Sequence, residues 1–197
     1  QSSLFLYGCF LSALLIMSAY NFCLFLIIRE ASYLLYSLFI LMMAGVHSSL
    51  DGFAYQWFWP NLPNWHQISA ISFIAIGCIS TIFFTKEILP IPKKGYIKLG
   101  VNALAIFSIS SALLSLFLSY RSAAILNGLM TIIVMGGVAI ICISMIKHSP
   151  RVARFYTFAW AAYFIGIVLK SSSKMGYIPY SPLSEYAGNI GAVIGII

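Results

Sequence analysis

Long uncharged apolar runs, separated by short polar or basic segments, recur along the whole chain. Each run is close to the roughly 20 residues that a helix needs to cross a bilayer. Backbone amides in lipid must be hydrogen-bonded within their own segment, so such runs form helices unless they close into a barrel. Strands of a barrel would be about ten residues long and would alternate apolar and polar positions. These runs are continuous, and the pattern therefore predicts an all-α integral membrane protein.

We predict a bundle of seven transmembrane helices that forms one domain over residues 1–197. The predicted spans are residues 4–28, 31–50, 67–85, 99–119, 122–146, 152–169 and 182–197. Only the residues after Glu185 remain uncharged in the last span, which is about 18 Å of helix against a hydrocarbon core of about 30 Å. We therefore expect a shortened seventh helix and a chain excised from a larger protein.

The composition agrees with this class, because 61% of the residues are hydrophobic and only 8% are charged. A soluble domain carries about a quarter charged residues. The net charge of +7 comes from short basic clusters between the apolar runs, whereas nucleic-acid-binding proteins gather basic residues on one face. The expected partner is thus the lipid bilayer, and no nucleic acid is expected.

The distribution of the basic residues predicts the orientation. Eight lysines and arginines follow the first, third and fifth spans, and three lie on the other side. Loops rich in lysine and arginine stay in the cytoplasm. The N-terminus is therefore expected outside and the C-terminus in the cytoplasm.

The segment "DGFAYQWFWPNLPNWHQ", residues 51–67, holds six aromatic residues, three of them tryptophans. Residues 53–66 are predicted to form the external connection between the second and third spans, with Pro60 and Pro63 preventing either helix from continuing. Tryptophan rings suit the headgroup layer, and an interfacial belt and a docking surface for an external partner are equally good interpretations. The candidate ligand-binding or domain-docking residues are Tyr55, Gln56, Trp57, Trp59 and Trp65.

His47 and Asp51 are four residues apart and share a helix face. Ionisable groups within the membrane are candidates for function, and one hypothesis makes them a proton- or cation-sensitive pair. The alternative is that Asp51 and Gly52 end the helix near water while His47 is hydrogen-bonded to a neighbour.

Two kinds of residue are candidates for helix packing. Asn21 and Asn127 are expected to form hydrogen bonds between helices, and glycines permit close approach of neighbouring backbones. The glycine candidates are Gly136, Gly137, Gly191 and Gly195. The last two form a GxxxG pattern, which suits packing within the bundle or a homodimer.

No catalytic motif is recognisable in the sequence, and the four cysteines lie in apolar runs without a CxxC pattern or a nearby histidine. Such cysteines are usually apolar packing residues. We therefore expect no enzymatic activity, no cofactor and no metal site.

The chain resembles a known family over most of its length, and the specific features lie in its first third. The matching features are a Tyr–Asn pair late in the first span, a basic turn, two closely spaced tyrosines and a Gly-x-x-x-Gln-x-x-Trp-Pro ending. In this chain they are Tyr20, Asn21, Arg29, Tyr33, Tyr36, Gly52, Gln56, Trp59 and Pro60. The pattern is similar to that of the bacterial seven-helix receptors with diverse intracellular signalling modules, the 7TMR-DISM group.

The resemblance implies a protein of the bacterial inner membrane that relays a signal. In such receptors an extracytoplasmic, carbohydrate-binding-like β domain precedes the helices, and a histidine kinase, diguanylate cyclase or related output domain follows them. The alternative function is a small-molecule transporter or channel. Transporters commonly have internal repeats and ionisable groups near the midplane, and neither is evident in this sequence.

Overall fold

The computed structural model describes residues 2–92, 95–146, 154–158, 160–162, 165–166, 169, 179 and 181. Within these residues the chain is helical with short turns, and none of them lies in a strand, which confirms the predicted all-α class. The chain divides into two compact units, Gln1–Val138 and Ala139–Ile197.

Six helices carry most of the described structure. They are α1 (Ser2–Ile28), α2 (Ala31–Leu50), α3 (Phe53–Trp57), α4 (Pro63–Ile88), α5 (Tyr96–Ser115) and α6 (Tyr120–Met145). All except the short α3 are long and apolar enough to cross a membrane. The described residues from 154 to 169 are also helical, whereas the predicted seventh span, residues 182–197, lies outside the described residues.

The connection predicted at residues 53–66 is wrong in detail. Residues 53–57 form α3, and α4 begins at Pro63 instead of residue 67. Proline is favourable at the first position of a helix, because its missing N–H would have no partner there and its φ angle already suits the helix. Pro63 therefore starts α4, and Trp65 lies in its first turn.

Other boundaries differ by a few residues. The helix predicted at residues 99–119 is observed as α5, Tyr96–Ser115, and the one predicted at residues 122–146 is observed as α6. The Ala123 N–H donates to the Ser119 carbonyl at 2.9 Å. Ser119 thus closes the first turn of α6 and leaves only residues 116–119 for the connection.

In the first unit α2 packs against both α1 and α4, and α4 packs also against α5. Because lipid tails are as apolar as leucine, packing of small residues and interhelical hydrogen bonds must hold such helices together. Buried hydroxyls on α4, in contrast, are satisfied within their own helix: Ser80, Thr81 and Thr85 each donate to the carbonyl four residues earlier, at 2.8–2.9 Å. These polar side chains therefore lie inside the bundle without an unsatisfied donor.

A reciprocal pair of hydrogen bonds joins α1 to α2. The Ser18 hydroxyl donates to the Ser37 carbonyl at 3.0 Å, and the Ser37 hydroxyl donates to the Ser18 carbonyl at 2.8 Å. The two hydroxyl oxygens are 3.1 Å apart, and both residues are buried. We call this contact the serine clamp; it fixes the register of α1 along α2.

Two turns use left-handed backbone. Arg29, between α1 and α2, has φ of 64°, and its N–H donates to the Phe25 carbonyl at 2.8 Å. Gly52, between α2 and α3, has φ of 78°, a conformation that glycine adopts without steric cost. Gly52 therefore turns the chain sharply from α2 into α3.

Gly137 and Gly136 on α6 have different surroundings. A Cβ atom added at Gly137 would lie 2.6 Å from Cδ1 of Leu104 on α5, whereas nothing lies within 4 Å of the corresponding position at Gly136. Of these two glycines, which are among the four predicted to pack against other helices, only Gly137 is in close contact with a neighbouring helix.

In the second unit, the described residues pack locally. The rings of Tyr156 and Trp160 meet edge to face with centroids 5.9 Å apart. The Cys142 thiol at the end of α6 interacts with the Thr157 hydroxyl.

We predict that Gly137→Ala lowers stability by about 1–2 kcal/mol, because its methyl group must displace Leu104 from its packed position. The matched Gly136→Ala variant should be neutral or more stable by up to about 1 kcal/mol, since alanine favours the helix. Thermal unfolding in detergent micelles measures both. Equal midpoints for the two variants would contradict the packing assigned to Gly137.

Candidate functional site

The short helix α3 lies at the end of the bundle where α2 ends and α4 begins, which we call the α3 end. The Gly52 carbonyl accepts from the Gln56 N–H at 3.1 Å and so begins the first turn of α3. Ala54 is completely buried, and α3 packs against α2 and α4 through this side. This seating leaves the large aromatic side chains of α3 on its remaining sides.

A first group of rings joins α3 to α1 and α2. The Phe53 ring lies 6.1 Å from the Tyr7 ring on α1, and Tyr7 lies 6.4 Å from Phe10. Phe10 meets the His47 imidazole on α2 edge to face, with centroids 5.1 Å apart. Edge-to-face aromatic pairs stabilise by about 0.5–1.5 kcal/mol beyond their buried area. The start of α1 is therefore coupled directly to α2 and α3.

His47 and Asp51 have different environments despite their shared face. His47 is 8% exposed and lies against Phe10, whereas Asp51 is exposed at the end of α2. The Asp51 N–H donates to the His47 carbonyl at 3.0 Å. The buried Tyr7 hydroxyl makes no well-aligned hydrogen bond among the described residues, but the Asp51 carboxylate is close enough to interact with it. Asp51 thus faces Tyr7 on the neighbouring helix.

A second group of rings surrounds Trp59. Its ring lies 6.1 Å from Phe58, 6.3 Å from Trp65 and 6.4 Å from Phe73 on α4. The Trp59 indole N–H donates to Nδ1 of His66 at 3.5 Å, a long and weak bond. The turn between α3 and α4 is therefore held onto the start of α4.

Tyr55 joins the second group through His66, since their ring centroids are 4.9 Å apart. Phe53 joins the two groups, because it lies 6.2 Å from Trp57 and 6.4 Å from Phe58. We call the whole set the aromatic network. Its members are Tyr7, Phe10, His47, Phe53, Tyr55, Trp57, Phe58, Trp59, Trp65, His66 and Phe73.

Close contact between α2 and α4 supports the network on the side that faces away from the α3 end. A Cβ atom added at Gly45 would lie 2.9 Å from the Phe73 ring, so only glycine leaves room for Phe73. One turn nearer to the α3 end, the Ser69 hydroxyl donates to the Ser49 hydroxyl at 3.2 Å. Displacement of Phe73 would therefore change the packing of α2 against α4 and the contact of Phe73 with Trp59.

The tryptophans predicted as candidates divide into two kinds. Trp57 is 68% exposed, and its neighbour Phe58 is 69% exposed. Trp59 is partly buried within the network, and Trp65 is partly exposed beside it. We call the exposed surface formed by Trp57 at the end of α3 and Phe58 directly after it the outward side of α3. Ala54 and Trp59 are instead turned towards the bundle.

The structure brings the predicted docking residues Tyr55, Trp57, Trp59 and Trp65 together at one end, with Gln56 exposed beside them. Sequence reasoning missed their partners on the long helices: Phe10 on α1 and both His66 and Phe73 on α4. Phe53 lies inside the aromatic segment but was not among the predicted candidates, and neither was Tyr7 on α1. The one sequence feature that pointed to His66 was its position directly after Trp65.

The predicted packing asparagines form hydrogen bonds within their own helices. The Asn21 amide donates to the Met17 carbonyl and the Asn127 amide to the Ala123 carbonyl, each at 2.9 Å. The expectation of interhelical bonds is wrong for these two donors, because a carbonyl one turn earlier is always within reach. Gly191 and Gly195 lie outside the described residues.

Asn127 is 1% exposed, and its amide oxygen has no hydrogen-bond partner within the described part of the chain. Its backbone carbonyl accepts from the Thr131 hydroxyl at 2.8 Å, and that hydroxyl also lies 3.7 Å from the Cys78 sulfur on α4. This small polar group therefore connects α6 to α4 inside the first unit.

Among the described residues, no group of three or more histidine, cysteine, aspartate or glutamate side chains is arranged to hold a metal ion. The site instead presents tilted and edge-to-face rings, one carboxylate and two imidazoles. Such an arrangement can contact another surface or a ligand.

Comparison with known families identifies the class. A family model described as "7TM diverse intracellular signalling" matches residues 3–197, and the chain belongs to this family, 7TMR-DISM. The predicted resemblance is thereby confirmed over nearly the whole chain. The chain is a multi-pass membrane protein, and its family is one of receptors that signal into the cell. Neither the curated proteins nor the solved structures gave a match.

We predict that Trp59→Ala destabilises the fold by about 2 kcal/mol, because it removes the ring that Phe58, Trp65 and Phe73 all contact. Trp57→Ala is the matched control, and its cost should stay below about 1 kcal/mol since its ring is largely exposed. Unfolding of both variants in detergent micelles provides the comparison. An equal loss of stability would show that the network does not centre on Trp59.

Proposed function

We propose that this chain is the transmembrane relay of a bacterial sensor receptor in the inner membrane. In this proposal an extracytoplasmic ligand-binding domain precedes α1, and a cytoplasmic histidine kinase or diguanylate cyclase follows a seventh helix. All three parts belong to one polypeptide, and the relay itself performs no catalysis. Family membership supports the general class, and the aromatic network supports the mechanism.

The observation that carries the proposal is the contact of Tyr7 and Phe10 with Phe53 and His47. These contacts, with ring centroids 6.1 Å apart for Tyr7 and Phe53 and 5.1 Å apart for Phe10 and His47, couple the start of α1 to α2 and α3. An external domain joined to α1 would act on this coupling directly. A displacement of α1 would then shift α2, and α2 is packed against α4.

The orientation adopted in this proposal follows the basic residues. Arg29, Lys86 and Lys98 lie at the end of the helices opposite to α3 and are exposed. Placing that end in the cytoplasm satisfies the positive-inside rule. The α3 end then faces the outside, where Tyr7, Asp51 and the start of α1 are available to the external domain.

Transmission requires two helix arrangements that the external ligand distinguishes, since a ligand that binds both equally shifts nothing. The serine clamp is the element most directly placed to resist such a shift. Its bonds are short and mutual, and interhelical hydrogen bonds in membranes contribute about 0.6 kcal/mol each on average. A barrier of this size permits α1 to slide or rotate against α2 while still favouring one register.

We predict that a covalent bond in place of the serine clamp prevents the output from responding to the stimulus. Cysteines at both positions would lie close enough to form a disulfide, because the parent hydroxyl oxygens are 3.1 Å apart. In the full receptor, oxidation of the Ser18→Cys/Ser37→Cys variant should make kinase or cyclase output independent of stimulus, and a reductant should restore the response.

The matched controls are the two single cysteine variants and the parent chain, which has native cysteines of its own. They should respond to the stimulus with or without oxidant. A locked variant that still responds would exclude movement between α1 and α2 as the signalling step.

The parent reading frame tests the architecture itself. A β domain encoded upstream and a kinase or cyclase downstream are expected. A stop codon shortly after residue 197 would contradict the relay, and uptake of a solute by proteoliposomes would favour the alternative, a transporter or channel.

A further inference from the structure

The outward side of α3 is an apolar surface without charge. Trp57 and Phe58 are the most exposed rings of the aromatic network. Leu50 at the end of α2 and Leu62 directly before α4 are also exposed. No charged side chain occurs from residue 52 to residue 65. The partner of such a surface must be able to bury large aromatic rings, and it does not need to be charged.

The length of α2 gives the depth of this surface in the membrane. Arg29 and Glu30 are charged and exposed immediately before α2, and Asp51 is charged and exposed immediately after it. Between them lie the 20 residues Ala31–Leu50, which is about 30 Å of helix. That length equals the thickness of the hydrocarbon core, about 30 Å. Both ends of α2 therefore lie at the two membrane surfaces.

The fourth helix gives the same depth independently. Lys86 is exposed near the end of α4, and His66 precedes it by 20 positions, again about 30 Å of helix. His66 and Asp51 thus lie at the same level, one headgroup layer. Because α3 joins the end of α2 to the start of α4, it lies in that layer too.

The chemistry of the exposed rings fits this depth. Tryptophan has a large apolar ring and one polar N–H, and it is enriched where acyl chains meet headgroups. The inward side of α3 is already occupied by the bundle through Ala54. The outward side therefore lies in the headgroup layer, where the surrounding molecules are lipids.

We propose that α3 is a membrane-interface anchor, in which Trp57 and Phe58 insert into the boundary between phospholipid headgroups and acyl chains. The partner is the lipid surface, and charged headgroups are not required because the segment has no charge. This proposal goes beyond the relay function and does not depend on it. It assigns the outward side of α3 to lipid, and leaves Tyr7, Asp51 and the start of α1 for an external domain.

Tryptophan fluorescence in nanodiscs tests the anchor. The chain is placed in phosphatidylcholine that carries bromine on the upper part of its acyl chains, and acrylamide serves as a quencher in the water. The Trp57→Phe variant should lose roughly a third or more of the emission that bromine quenches in the parent, because Trp57 is the most exposed tryptophan at this interface. The matched Trp59→Phe variant should lose little of it.

A second variant makes the test independent of any loss of structure. Phe58→Trp adds an indole on the same outward side, and it should increase the bromine-quenched emission. Circular dichroism checks that all variants remain helical.

Two outcomes would overturn the proposal. If Trp57→Phe and Phe58→Trp change the acrylamide-quenched emission instead, the outward side of α3 faces water. If they change neither fraction, another protein surface covers α3. Neither outcome would affect the test of the relay, which is read from output in the disulfide-locked receptor.

Discussion

The lack of water in the hydrocarbon core is the constraint on which the rest of this structure depends. Each backbone amide must be satisfied inside its helix, and association of helices gains little from burial of apolar surface. Specific contacts must therefore hold α1, α2 and α4 together. The serine clamp supplies mutual hydrogen bonds, and the seat of Phe73 on Gly45 supplies close packing. Both contacts involve α2, which makes it the central helix of the first unit.

Water becomes available again at the α3 end, and the long regular helices give way there to turns and one short helix. The left-handed Gly52, the five-residue α3 and the start of α4 at Pro63 all lie between residues 52 and 63. Irregular backbone is acceptable at this level because headgroups and water can satisfy it. Large amphipathic rings are also favoured there, so the aromatic network and the break in regular helix share one physical cause.

The sequence was sufficient to predict the class, the family and the approximate positions of the five long helices, because an apolar run of about 20 residues has few alternatives in lipid. It did not predict which rings would meet. Phe10 and Phe73 are ordinary apolar residues in their helices, and their roles depend on how α1 and α4 are rotated about their axes. That rotation follows from contacts such as Gly45 with Phe73, which join residues far apart in the chain. Asn21 was misjudged for a related reason, since a bond within the helix was available to its amide.

An α3 anchored in the lipid would stay in place while α1 moves relative to it. A helix moves usefully only relative to something that stays in place, and lipid alone offers little resistance to sliding. If Trp57 and Phe58 hold α3 at one depth, Phe53 holds the Tyr7 ring against a structure that does not move with α1. A force on α1 would then change the contacts of Tyr7 and Phe10 before it moved the bundle as a whole. The aromatic network would thereby convert displacement of one helix into a change of packing between helices, which is the form of signal that membrane-spanning segments can pass on.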